Sequence, residues 1–129
     1  MVTSLESFIP VIVCQDIVAE HDFLVNVFGF KSGGVQTDAD GNAVHGEIIA
    51  DTITLWLHAI SAEHSMAAPG NGPNHGGFVV FVEDVDTHYA DLLGAGITPD
   101  SRPTDQEYGQ REYGVTDPEG HRWWFATRL

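Results

Sequence analysis

Apolar positions along this chain follow two rhythms, and the same succession of rhythms occurs twice. FIPVIVCQDI (8–17) is a strand-like apolar run ending at Asp16, followed by the helical stretch VAEHDFLVNVFGF, with Phe23, Val27 and Phe30 at helix spacing. GFVVFVEDVD (77–86) is again such a run, ending at Asp84. The helical stretch THYADLLGAGI follows, with Tyr89, Leu92 and Leu93 at helix spacing. Each helix is expected to stop at a glycine, Gly29 or Gly96. The two aspartates are 68 positions apart, and the same offset carries Trp56 in the strand ITLWLHA (53–59) onto Trp124 near the C-terminus. Between these landmarks lie GNAVHGEIIA (41–50) and QREYGVTD (110–117), both strand-like.

The pattern predicts an α+β fold of two paired β-α-β-β-β modules within one domain, residues 1–129. Module one covers about 5–60 and module two about 77–129. They are joined by 61–76, which is rich in Gly, Pro and Asn. A helix covers one face of each sheet, so the other faces are expected to curl into a shared concave cleft. Alternation then sorts the strands. Ile53, Leu55 and Leu57 are expected under the helix; Thr54, Trp56 and His58 are expected in the cleft. The segment DPEGHRWWFAT (117–127) opens with a tight turn, Pro118 presetting its first inner residue and Gly120 taking unusual backbone angles. In the strand that follows, Trp123 and Phe125 go under the helix, and Arg122, Trp124 and Ala126 go to the cleft. Two adjacent tryptophans on opposite faces cannot share one ordinary core.

Composition narrows the function classes. The chain is 43% hydrophobic, enough for a core, and none of its apolar runs approaches a membrane span. The start, MVTSLESFIPV, predicts no secretory signal. The single cysteine, Cys14, cannot form an internal disulfide and is expected buried under the first helix, which fits a reducing cytoplasm. A net charge of -14 argues against nucleic acid and anionic membrane as partners and suits attraction of cationic small molecules. Neither Cys14 nor the serines fall into a nucleophilic motif. His45 with Glu47 forms a candidate acid–base pair on one strand. His21, His64, His88 and His121 are expected at the surface.

In PVIVCQD, HDFLVNVFGF, VEDVDTHYADLLGAG and YGQREYGVTDPEGHRWWFAT, the chain resembles the vicinal oxygen chelate superfamily, the glyoxalase, bleomycin-resistance and dioxygenase proteins. It looks most like the antibiotic-binding branch. The resemblance implies metal ligands at four places, the start of each module's first strand and the middle of its last. Here those positions are Ile9, Trp56, Gly77 and Trp124, none of which offers a ligand atom. No cofactor and no catalytic residue are therefore expected; fallback metal candidates are His75, His45 and Glu47. The expected ligand-binding residues are Trp56, His45 and His58 in the first module, with Phe81, Tyr108, Tyr113 and Trp124 in the second. The function that follows is non-enzymatic binding and sequestration of a planar aromatic, possibly cationic, small molecule such as a bleomycin-like or intercalating antibiotic. The alternatives are a metal-dependent glyoxalase-type lyase or isomerase, a dioxygenase, and a small-molecule-binding module with a housekeeping role. The resemblance also implies a homodimer.

Overall fold

A computed structural model describes residues 3–129. The chain divides between Ala68 and Pro69 into two compact units, and this division falls inside the 61–76 stretch. In the first unit β1 (Val11–Cys14) leads to α1 (Ile17–Asn26), then β2 (Lys31–Thr37), β3 (Ala43–Ala50) and β4 (Ile53–Ala59). Its sheet has the order β1-β4-β3-β2, with β1 parallel to β4 and the other pairs antiparallel. The second unit repeats this with β5 (Phe78–Phe81), α2 (Val85–Gly94), β6 (Thr104–Asp105), β7 (Gln110–Thr116) and β8 (Arg122–Arg128), in the order β5-β8-β7-β6. Two helices and two four-stranded mixed sheets make up the predicted α+β fold. Among the described residues no helix is long and apolar enough to cross a membrane.

The recurring aspartates have a local cause. Asp16 and Asp84 hold extended backbone angles and cap the helices that follow. Asp16 accepts from Ala19 N at 3.0 Å, and Asp84 accepts from Asp86 N and Thr87 N. Those bonds, with that of the Thr87 hydroxyl, hold the Asp84 carboxyl below its usual range. Each helix is followed by a glycine at positive φ, Gly29 and Gly96.

The helix-spaced residues do not by themselves mark the buried faces. The buried residues of α1 are Ile17, Glu20 and Leu24, while Phe23 is half-buried and Val27 and Phe30 lie past its end; those of α2 are Val85 and Leu92, with Leu93 exposed. Both helices carry apolar residues around much of their circumference, so spacing alone admits more than one buried stripe. On the strands alternation holds better. Leu55, Leu57, Trp123 and Phe125 are buried, as is Cys14, while Trp56 and Trp124 are half-buried. Ile53, expected under α1, is exposed at the first position of its strand. The second strand of each unit was implied by the module pattern but not located in it. KSGGVQT shows no apolar alternation, and β6 has only two residues.

Candidate functional site

The second unit builds its free face around Trp124. On β8 this residue pairs with Val79 of β5 on one side and Gly114 of β7 on the other. Helix α2 packs on β7 and β8 from the opposite side, where Trp123, Phe125 and Val115 are buried. Gly77 and Gly114 leave room for the indole. A Cβ at Gly77 would lie 2.5 Å from Trp124 Cζ3 and 2.8 Å from the Arg122 carbonyl oxygen. A Cβ at Gly114 would lie 3.3 Å from Trp124 Nε1. The indole therefore lies across the strands in space that two side chains would have filled. A cavity of about 500 Å³ adjoins it, walled by Trp124, Val79, Gly114, Glu112, Tyr108 and Thr104. That volume is in the range of small-molecule sites.

Polar groups frame the ring. Arg122 places its Cζ 5.4 Å from the Trp124 ring centroid, within cation–π reach, and its Nε 3.6 Å from Asp100 Oδ2. Glu112 is buried on the cavity wall, and its Oε1 accepts from the Tyr108 hydroxyl. Sequence reasoning did not single out Glu112 or Gly114, and it named Gly77 only as a position without a ligand atom. The available signal was parity: Glu112 and Gly114 share a face of β7, and the strand pairing sets both beside Trp124.

Tyr113, expected in the cleft, stands on the helix-covered face. It pairs with Phe125, is buried, and hydrogen-bonds through its hydroxyl to His88 Nδ1 of α2. Odd parity on β7 puts it opposite Glu112 and Gly114. Burial, with Tyr89 and Asp91 adding to it, pushes the Tyr113 hydroxyl well above its usual range. The folded protein keeps that proton at pH values where the unfolded chain, near the ordinary value of about 10, has released it. Stability is thus unaffected by this group below about pH 10 and should fall as pH rises above it. Thermal unfolding followed from pH 9 to 11 checks this, and Tyr113→Phe should flatten the decline.

Phe81 is on the free face, but the Arg128 guanidinium lies 3.8 Å from its ring centroid and covers it. Tyr108 is exposed apart from its bond to Glu112. In the first unit His45 and Glu47 on β3 face His58 and Trp56 on β4. The His45 ring meets the Trp56 ring edge-on, centroids 5.1 Å apart, and His45 Nε2 lies 3.2 Å from Glu47 Oε1. A cavity of about 540 Å³ adjoins Trp56, Glu47, Phe8 and Ile9. His58 is exposed, and His75 is exposed on the segment entering β5.

The histidines expected at the surface divide. His64 is exposed. His88 stacks on Phe125 at 4.1 Å, and His21 is half-buried and bonded to Ser32. His121 is buried: its backbone N–H and Nδ1 both donate to Asp117, whose side chain folds back over its own turn.

The four positions at which the resemblance implies metal ligands do not fit a metal. Ile9, Trp56, Gly77 and Trp124 carry no donor atom suited to a divalent ion, and the Trp124 ring occupies the space above Gly77. No reaction step through a metal follows from these residues.

Two β-α-β-β-β units, each a four-stranded mixed sheet with one helix, define the class of fold. The family model described as the Glyoxalase/Bleomycin resistance protein/Dioxygenase superfamily matches residues 8–125, and the chain belongs to that superfamily. An uncharacterised protein of Mycobacterium bovis is 29% identical over 118 residues, 88% of this chain and 78% of the relative. Among solved structures, TioX from Micromonospora sp. ML1 is similar, with 27% identity, a TM-score of 0.77, and 96% of this chain and 99% of that one covered. TnmS3, an antibiotic binding protein from Streptomyces sp. CB03234, shares the fold with a TM-score of 0.74 at 19% identity, each chain fully covered.

Proposed function

We propose that this chain binds and sequesters a planar aromatic small molecule by stacking it on Trp124, and performs no chemistry on it. The carrying observation is the indole laid across Gly77 and Gly114 at the wall of the 500 Å³ cavity. An aromatic surface in a concave site gains from covering another flat ring, by roughly 0.5–1.5 kcal/mol beyond the area buried. That TnmS3 is an antibiotic binding protein supports an antibiotic-like ligand on this fold. Trp56, with His45 beside it, offers a second aromatic surface in the first unit. The superfamily resemblance favours a homodimer as the binding form, which light scattering on the purified protein checks.

Bleomycin and an intercalating dye are suitable probes. Tryptophan emission should be quenched with micromolar affinity by at least one of them. Trp124→Leu should weaken that binding about 10- to 100-fold, the loss expected on truncating a central aromatic contact. No response across a panel of such compounds would overturn the reading. A metal-dependent lyase, isomerase or dioxygenase is the second reading, and the His45–Glu47 pair is what favours it. Stoichiometric divalent metal in the purified protein, lost in Glu47→Gln, would sink the binding-only reading.

A further inference from the structure

The free face of the second unit has a direction. Along β8 run Arg122, Trp124 and Ala126; across from them on β7 stand Thr116, Gly114 and Glu112. Along the strands, positive charge lies on the Arg122 side of Trp124 and the Glu112 carboxylate on the other. Glu112 retains only 8% exposure on the cavity wall, and its hydrogen-bond donor among the described residues is the neutral Tyr108 hydroxyl, at Oε1. The Glu112 Oε2 keeps access to the cavity, where an entering cation would be the strongest available donor. The nearby cations are engaged elsewhere: Arg111 by Asp86 and Asp105, Arg122 by Asp100 and the indole, Arg128 over Phe81. Arg102 lines the same cavity but is exposed, with no ion pair to Glu112 among the described residues.

We propose that Glu112, held by Tyr108, is the cation-recognising end of the site, and that the ligand is a planar aromatic bearing a protonated amine. Glu112 is the diagonal neighbour of Trp124 across β7 and β8, so an amine on a short linker from the stacked ring should reach it. An ammonium there would take Oε2 and leave Tyr108 on Oε1. This proposal rests on the stacking role of Trp124 and adds to it the charge and orientation of the ligand.

Two naphthalimides with the same flat ring test it by calorimetry: N-(2-aminoethyl)-1,8-naphthalimide, cationic at neutral pH, and N-propyl-1,8-naphthalimide, neutral. The amine should bind at least tenfold more tightly than the propyl compound, and raising NaCl from 0.1 to 0.5 M should weaken only the amine. Glu112→Gln should erase the difference while leaving propyl binding within twofold; Tyr108→Phe, at an exposed position, should weaken the amine a few-fold. Equal binding of the two compounds by the unmutated protein, or equal weakening of both by Glu112→Gln, overturns the cation assignment and leaves the stacking reading standing. If both bind and Trp124→Leu changes neither affinity, the stacking reading itself fails and takes this proposal with it.

Discussion

Asp117→Ala should destabilise the second unit by about 3 kcal/mol, lowering the unfolding temperature by about 10 °C. Asp117 is almost fully buried, and its carboxylate gathers four donors from the next six residues. Oδ1 accepts from Glu119 N at 3.0 Å and His121 N at 2.9 Å. Oδ2 accepts from Trp123 Nε1 at 2.9 Å and His121 Nδ1 at 3.1 Å. Alanine removes every acceptor at once and strands the donors out of water, which costs more than the bonds themselves contribute. The turn backbone would survive in part, since Gly120 N still reaches the Asp117 carbonyl and Asp117 N the His121 carbonyl. Thermal unfolding by circular dichroism checks the size of the loss. His121→Ala should cost clearly less, because it removes one donor and leaves the acceptor satisfied. A loss below about 1 kcal/mol for Asp117→Ala would show that the carboxylate does not organise this turn.

Gly77→Ala should cost about 1–3 kcal/mol of stability and weaken aromatic ligand binding tenfold or more. The added methyl would sit 2.5 Å from Trp124 Cζ3 and 2.8 Å from the Arg122 carbonyl oxygen. The ring could swing aside, but the carbonyl belongs to a paired strand and has little freedom to move. Relief therefore means lifting the indole off the sheet or shifting the entry to β5. Either outcome spoils the stacking surface. Gly114→Ala is the milder neighbour: its methyl meets Trp124 Nε1 at 3.3 Å, a contact that a small ring movement relieves. Calorimetry with the naphthalimide amine and thermal unfolding should rank Gly77→Ala above Gly114→Ala in both effects. The reverse order would mean that the indole is not held against Gly77 in solution.

Much of the architecture was legible because its signals are local. A capping aspartate and a glycine at positive φ act within a few residues of themselves, so strand, helix and stop could be read twice. Alternation likewise placed Trp123 under the helix and Trp124 on the free face. Parity applied to the neighbouring strand would have put Tyr113 with the core and Glu112 with the site. Aromatic character argued for Tyr113 instead, and the strand pairing overrules it. His121 looked like turn surface because nothing in DPEGHR shows that the Asp117 side chain folds back over its own turn.

By itself the sequence determined the two-module α+β plan, the register of the aromatic strand, and the lack of metal-ligand atoms at Ile9, Trp56, Gly77 and Trp124. These follow from short-range backbone chemistry and from what each side chain can donate. Only the tertiary structure decided which stripe of each helix is buried, which polar groups are withdrawn from water, and that Gly77 and Gly114 make a bed for Trp124. Those depend on residues distant in sequence meeting across strands. Gly77 and Trp124 are 47 positions apart and touch because β5 and β8 pair in one particular register.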